Sequence, residues 1–152
     1  QIYLIFLIQL NTGLRVGDVL RLKKRNFNNN FLYLKEQKTG KIQNRKINRE
    51  LVQKIEEYCL VRELENEENL FDIKVRWVQR YIQIIAQILG MRDISTHSFR
   101  KTYAHLQYIN NQCNIELVRK LLNHSSIAIT QRYLGITDEE VNLASERFKI
   151  IF

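Results

Sequence analysis

Residues that break helices, cross-link chains or bind zinc are scarce in this sequence. Its 152 residues include no proline, five glycines and two cysteines, so little in the chain interrupts a helix. Cys59 and Cys113 have neither the spacing of zinc ligands nor that of a disulfide framework, which excludes a cysteine-ligated zinc site. The same scarcity fits a reducing compartment. We therefore expect a cytoplasmic protein.

A hydrophobic run long enough for a membrane span is also absent. The apolar stretch from Ile2 to Ile8 is too short to cross a bilayer, has no basic region before it and continues into Gln9, Asn11 and Thr12, so we expect neither a membrane span nor a signal segment. We expect a buried helix over 1–11 that ends at Thr12-Gly13. Because the chain opens inside this helix without an initiator Met, we expect a fragment of a longer protein.

Positive charge is the most informative feature of the composition. The chain has 24 Lys+Arg against 16 Asp+Glu, a net charge of +8, and 45% hydrophobic residues, with a pI near 9.6. These values are typical of one globular domain, 1–152, with a polyanionic partner: nucleic acid first, an acidic membrane surface second. Glu63–Asn69 is an acidic stretch that we expect to be an exposed loop, so charge is unevenly spread, as on a protein with one DNA-binding face.

Hydrophobic periodicity predicts an α+β, mainly helical domain with a small antiparallel sheet near its N-terminal third. Strands at Phe31–Lys35 and 45–47 flank Lys38-Thr39-Gly40-Lys41, which predicts a basic β-hairpin. Helices are predicted at 1–11, 16–22, 49–62 (capped by Asn48), 76–89, 97–109 (capped by Ser95 or Thr96), 114–122, 126–133 and from a capping box at Thr137 to about 148.

Four short segments carry residue types suited to phosphate chemistry. Each is weak alone, because an isolated arginine or a hairpin lysine is usually solvated and Tyr133 is one of seven tyrosines. Their order and spacing carry more information. The segments are Thr-Gly-Leu-Arg-Val-Gly-Asp-Val-Leu at 12–20, the hairpin at 38–41, His-Ser-Phe-Arg at 97–100, and Leu-Leu-Asn-His-Ser-Ser at 121–126, with Tyr133 nine residues after His124.

Together these segments resemble the catalytic domain of the tyrosine recombinases, the phage integrase family of site-specific DNA recombinases. That family has Thr-Gly-Leu-Arg with an acidic residue three after the Arg, a hairpin lysine, His-x-x-Arg, Leu-Leu-x-His-Ser-Ser, and a nucleophilic Tyr nine after that His. The resemblance runs from Thr12 to Gly135. It implies six catalytic residues: Arg15, Lys38, His97, Arg100, His124 and Tyr133.

These residue types make chemical sense for breaking a DNA strand without a metal or another cofactor. Tyrosine can act as a covalent nucleophile. Arg15 and Arg100 can clamp the non-bridging phosphate oxygens with bidentate forks, and such positioned donors are worth roughly 2.7–4 kcal/mol each. His97 and His124 can donate to the phosphate or move the tyrosine's proton.

Two assignments near Arg15 depend on detail that the sequence leaves open. In the family the hairpin lysine protonates the departing 5′ oxygen. Lys38 matches that position best, and Lys41 is the reserve candidate. Asp18 is expected either to buttress Arg15 or to cap its own short helix, with equal weight.

The expected partner is double-stranded DNA, not a membrane. The resemblance implies a homotetramer on two DNA sites during synapsis, with a monomer possible in isolation, and an N-terminal core-binding domain that this sequence does not encode. Phosphate contacts give largely sequence-independent affinity. The residues expected to make them cluster around the hairpin: Arg21, Lys23, Lys24, Arg25, Lys41, Arg45 and Lys46.

Two other functions use the same residues. A type IB topoisomerase shares the chemistry but reseals the same strand; the bacterial-integrase-like segments disfavour it. A non-catalytic DNA-binding relative is disfavoured because all six catalytic positions are filled. A Tyr133→Phe variant that binds DNA but forms no covalent adduct would support catalysis.

Overall fold

The computed structural model describes residues 1–135 and 138–147, and these form helices with one small sheet. The chain divides into two compact units, Gln1–Tyr103 and Ala104–Phe152. The helices are α1 (Ile2–Thr12), α2 (Val16–Val19), α3 (Arg49–Val61), α4 (Val75–Ile88), α5 (Thr96–Asn110), α6 (Ile115–Leu121), α7 (Ile127–Leu134) and α8 (Asp138–Arg147). The predicted fold class is confirmed. The predicted cap residue Thr137 and the helix end at 148 lie outside the described residues.

The sheet has three antiparallel strands in the order β1 (Phe27–Asn28), β2 (Phe31–Lys35) and β3 (Ile42–Lys46). The predicted hairpin is confirmed as β2–β3. Two details of the prediction are wrong. The short β1 was missed, and the second hairpin strand is 42–46 rather than 45–47, because each residue of β2 has a partner, from Phe31 opposite Lys46 to Lys35 opposite Ile42.

Helix ends mostly follow the predicted capping residues. The Asn48 side chain accepts a hydrogen bond from the Leu51 amide at 2.6 Å and starts α3, as N-cap asparagines do. Between the two caps proposed for α5, the structure favours Ser95, whose hydroxyl accepts from the His97 amide at 3.2 Å. The prediction for α2 is too long, because the Leu22 carbonyl leaves the helix and accepts from the Leu70 amide at 2.8 Å.

The hydrophobic core of the first unit lies where α1, α2, the sheet and α3 meet. Ile5 and Ile8 of α1 are fully buried, which confirms that the first apolar run is a core helix. Burial of each such side chain is worth roughly 1.5–3 kcal/mol. The other deeply buried residues of this core are Leu14, Val19, Leu22, Leu32, Leu51, Ile55, Cys59, Leu70 and Val78.

Candidate active site

The loop that carries Arg15 is held by three side chains, of which Gln9 and Arg100 are buried and Arg45 is half-buried. Gly13 ends α1 in the left-handed conformation (φ 65°), which glycine adopts without strain. Three successive carbonyls of this loop then accept side-chain hydrogen bonds, so the backbone before Arg15 is fully constrained. Arg45 donates to the Thr12 carbonyl, Arg100 to that of Gly13 and Gln9 to that of Leu14.

Arg100 and His97 lie one turn apart on α5. Arg100 is almost completely buried, with 1% of its surface exposed, whereas His97 is exposed in the first turn. Gln9 also donates to the Thr96 carbonyl at 3.2 Å, so α1 is tied to the start of α5. The segment before Arg15 and the His-x-x-Arg segment, 87 residues apart, are therefore joined by buried polar contacts.

Arg15 itself contacts a residue that the sequence analysis missed. Its Nη1 lies 2.8 Å from Oε2 of Glu36, whose side chain is 1% exposed. A signal for Glu36 was present, since Leu32, Leu34 and Glu36 are alternate, buried positions at the end of β2, and alternate residues of a strand share one face. A carboxylate on that buried face needs a partner.

Glu36 also holds the hairpin. Its Oε2 accepts from the Thr39 hydroxyl at 2.6 Å, and its Oε1 accepts from the side-chain Nε2 of Gln43 at 2.8 Å. Burial alone would raise the pKa of Glu36, but hydrogen bonds from Thr39 and Gln43 and the Arg15 charge together outweigh it and lower that pKa. The side chain is therefore an ionised acceptor at neutral pH.

The structure corrects both expectations for Asp18. This buried carboxylate accepts a hydrogen bond from the Gln37 backbone amide at 2.8 Å. Arg15 pairs with Glu36 instead of Asp18. The N-cap of α2 is Arg15, and no side chain makes a capping hydrogen bond there. Asp18 thus anchors the start of the hairpin loop. The error arose because the sequence shows spacing along a helix and not the approach of a distant backbone amide.

Four of the predicted catalytic residues form one electrostatic cluster in the first unit: Arg15, Lys38, His97 and Arg100. Partial loss of hydration lowers the pKa of His97, and the positive charges of Arg100, Arg15, Lys38 and Lys101 lower it further. His97 is therefore uncharged at neutral pH. Lys38 is exposed in the hairpin loop, and Lys41 is half-buried at its far end.

The second unit places the other two predicted catalytic residues side by side. The rings of His124 and Tyr133 lie 4.9 Å apart between centroids, at an interplanar angle of 55°. His124 is buried, and its Nδ1 is 3.1 Å from the Thr130 hydroxyl. Its carbonyl accepts from Arg119 Nη1 at 2.8 Å. These contacts fix both the ring and the backbone of His124.

Local sequence explains this arrangement. Asn123, at φ 57°, makes the turn after α6, and asparagine is one of the few residues other than glycine that tolerates this conformation. The turn is closed by the His124 amide, which donates to the Arg119 carbonyl at 3.0 Å. Ser126 precedes α7, which then carries Thr130 and Tyr133 one turn apart. Helix neighbours at this spacing share a face.

The residues expected to contact DNA lie in three kinds of environment. Lys24 and Lys46 are exposed, and Lys46 lies over the Phe31 ring at 5.6 Å. Lys23 and Arg25 both contact Glu67 of the acidic loop, at 3.4 and 2.7 Å. Arg21 is exposed and lines a groove of about 530 Å³ beside Lys23 and Arg25.

Arg45 is directed inward. Besides donating to the Thr12 carbonyl, Arg45 contacts Tyr103. Its Nη1 lies 3.4 Å from the Tyr103 hydroxyl, and its guanidinium carbon lies 5.8 Å from the centroid of the ring. It therefore supports the Arg15 loop. The expected exposure of the acidic loop is confirmed for residues 65–69.

Within residues 1–135 and 138–147, no group of three or more His, Cys, Asp or Glu side chains is placed to hold a metal ion. Over the same residues, no helix is both long and apolar enough to cross a membrane.

Comparison with known proteins places this chain in a family. The model of the phage integrase family matches residues 1–140. A probable integrase/recombinase of Bacillus subtilis, YoeC, is 32% identical over 96% of this chain and 83% of its own length. The tyrosine recombinase XerA of Pyrococcus horikoshii is 27% identical over 97% of this chain. The chain spans 55% of the XerA length.

Solved structures show the same fold. A XerA recombinase structure superposes with a TM-score of 0.76 at 22% identity over 97% of this chain and 58% of that chain. A XerH recombinase bound to its palindromic difH substrate in a post-cleavage complex superposes with a TM-score of 0.80 at 21% identity, over 96% of this chain and 45% of that chain. The architecture is that of tyrosine recombinase catalytic domains.

Proposed function

The chain belongs to the phage integrase family, and we propose that it is the catalytic domain of a site-specific recombinase that breaks DNA through a covalent bond to Tyr133. The observation that carries this proposal is the pairing of the Tyr133 ring with a buried, fixed His124. The other predicted catalytic residues form one cationic cluster around His97. Each relative named above is an integrase or a recombinase, which favours strand exchange over topoisomerase action.

In the proposed cleavage step the Tyr133 hydroxyl oxygen attacks a backbone phosphorus. The bond from phosphorus to the 5′ oxygen breaks, which leaves a 3′-phosphotyrosyl bond and a free 5′ hydroxyl. The tyrosine loses one proton and the departing oxygen gains one, so the step needs a proton acceptor and a donor but no oxidant or reductant. Attack by a partner strand's 5′ hydroxyl reverses the step and frees Tyr133.

Each cluster residue has a role in this proposal. Arg15 and Arg100 neutralise the charge on the non-bridging oxygens. Lys38, with Lys41 as the reserve, protonates the 5′ oxygen. His97 is suited to accept a proton because its lowered pKa keeps it uncharged at neutral pH, and His124 is suited to donate to the phosphate because Thr130 and Arg119 fix it.

We also propose a DNA-binding face made by Lys23, Lys24, Arg25, Lys41 and Lys46, with Arg45 supporting it from inside. Two duplex sites present four strands, and each Tyr133 cuts one of them, so we propose that the complete protein works as a homotetramer on DNA. Its place of action is the compartment that holds the DNA, which in a cell without a nucleus is the cytoplasm.

Covalent capture on nicked, partly randomised duplexes tests the proposal. The nick lets the short 5′ piece diffuse away, so the intermediate accumulates. We expect an SDS-resistant adduct at the 3′ end of the cut strand, formed in EDTA by the unaltered chain and by Tyr81→Phe, and absent in Tyr133→Phe. An adduct that persists in Tyr133→Phe would refute the nucleophile assignment, and one that needs a divalent ion would refute the metal-independent mechanism.

A further inference from the structure

Glu36 joins two members of the cluster, Arg15 and Lys38, that the sequence places 23 residues apart. One carboxylate oxygen accepts from both Arg15 and Thr39, and the other accepts from Gln43. Thr39 directly follows Lys38 in the hairpin loop. A single side chain therefore contacts both the arginine that would bind the phosphate and the loop that carries the leaving-group lysine.

The backbone of Glu36 closes the same loop. Its amide donates to the Lys41 carbonyl at 2.9 Å, and its carbonyl accepts from the Gly40 amide at 3.0 Å. Lys38 thus lies inside a short loop that Glu36 holds by main chain and by side chain. Motion of that loop relative to Arg15 requires the Glu36 contacts to break.

Burial makes this carboxylate an unusual choice for a merely stabilising residue. Replacing a buried, hydrogen-bonded charge by an apolar side chain of similar volume is often neutral or stabilising, so the ion pair needs another explanation. Charge-assisted hydrogen bonds fix direction as well as distance, and a misplacement of a reacting group by about 1 Å can cost about 100-fold in rate.

We propose that Glu36 is a positioning residue of the recombination reaction, which holds Arg15 and the Lys38 loop in one arrangement. This inference rests on the proposed function. Glu36 touches neither the phosphate nor the nucleophile in this role. It acts through Arg15 on the non-bridging oxygens and through Thr39 on the position of Lys38.

The test is single-turnover cleavage by Glu36→Gln on three nicked duplexes that differ at the scissile phosphate. One carries the normal phosphate. The second has sulfur in place of the bridging 5′ oxygen, a leaving group that needs no proton. The third is a neutral methylphosphonate, which needs less neutralisation by arginine. Glu57→Gln is the matched control, because it removes the same charge from an exposed pair with Lys54 on α3.

We expect Glu36→Gln to cleave the normal phosphate roughly 10- to 100-fold more slowly than the unaltered chain, because two reacting groups lose their positions, and Glu57→Gln to match that chain. The defect should shrink on both altered substrates, since each one bypasses one of the two groups that Glu36 positions. A purely structural loss would slow all three substrates equally, and that result would overturn the proposal.

Thr39→Ala keeps the test informative if Glu36→Gln does not fold. Thr39 is exposed, and its removal leaves the contact between Arg15 and Glu36 in place. We expect a smaller defect that only the sulfur substrate relieves, because only the Lys38 loop is released. Unchanged cleavage by Thr39→Ala would contradict the proposal. Faster cleavage by Glu36→Gln would contradict it too, because that result is expected if Glu36 only restrains Arg15.

These outcomes are distinct from failure of the proposed function. If the unaltered chain forms an adduct at Tyr133 and Glu36→Gln cleaves equally well, the positioning role is wrong and the recombinase chemistry stands. If the unaltered chain forms no adduct on any of the three duplexes, both proposals are wrong.

Discussion

The two units hold their candidate catalytic residues in different ways. In Gln1–Tyr103 the contacts join distant parts of the chain: Arg100 and the Gly13 carbonyl are 87 residues apart, and Arg15 and Glu36 are 21 apart. In Ala104–Phe152 the contacts are local, since His124 meets Thr130 six residues on and Tyr133 nine residues on.

This difference separates two kinds of preorganisation. Long-range buried polar contacts form only when the tertiary structure forms, so a variant in the first unit is expected to change stability and chemistry together. A turn between two short helices fixes its residues locally, so a variant in the second unit should change chemistry more than stability. The predictions below test that contrast, from the largest effect to the smallest.

Arg100→Ala should have the largest effect on both the free energy of unfolding and the rate of adduct formation. The variant removes a buried donor and leaves the Gly13 carbonyl without it, which costs about 1–3 kcal/mol in the free energy of unfolding. Loss of a positioned donor also slows the chemical step by about 10²–10³-fold. Urea unfolding and single-turnover adduct formation measure the two losses.

Arg76→Ala, an exposed change on α4, is the charge-matched control for Arg100→Ala. It should leave both the unfolding free energy and the adduct rate within error. If Arg100→Ala unfolds like the unaltered chain, the long-range contact does not contribute to stability and the contrast between the units is wrong.

Thr130→Val should separate chemistry from stability in the second unit. Valine has nearly the shape of threonine but no hydroxyl to hold His124 Nδ1. We expect adduct formation to fall by about 10-fold because the His124 ring is no longer held in place, with a stability loss of only about 1 kcal/mol. The same two assays apply, and a stability loss as large as that of Arg100→Ala would contradict the local character of this site.

Lys38→Met should raise the pKa of His97. Lys38 is one of the positive charges that lower this pKa, and removing a like charge favours the protonated ring. Because the pKa of His97 is lower in the folded than in the unfolded chain, the folded protein should lose stability as the pH falls through the usual histidine pKa. NMR titration of the ring protons measures the shift, and an unchanged pKa would show that Lys38 does not belong to the cluster.

Glu67→Gln should produce the smallest change, a roughly 2- to 5-fold gain in DNA affinity. Glu67 pairs with Lys23 and Arg25 in exposed positions, and such pairs contribute little. Its removal frees two cations of the proposed DNA face, which should also steepen the dependence of affinity on salt. Fluorescence anisotropy measures both quantities. An equal gain in Glu57→Gln would mean that net charge alone is responsible.

The sequence predicted the features that follow from local rules. The hairpin, the Asn48 cap and the Gly13 helix end depend on neighbours in the chain, and the spacing from His124 to Tyr133 is set by one turn and one helix. It did not predict that Glu36 would pair with Arg15 or that Asp18 would hold Gln37, since both contacts depend on how a strand end meets a distant loop. The alternation of Leu32, Leu34 and Glu36 indicated burial of the carboxylate but not its partner.

Identifying the tyrosine that carries the DNA tests the central claim most directly. The adduct from a nicked duplex is trimmed with nuclease, and the modified peptide is sequenced by mass spectrometry. The account predicts a nucleotide mass on Tyr133 and on none of the other six tyrosines. A nucleotide on another residue, or a cleaved strand with no protein attached, would contradict it.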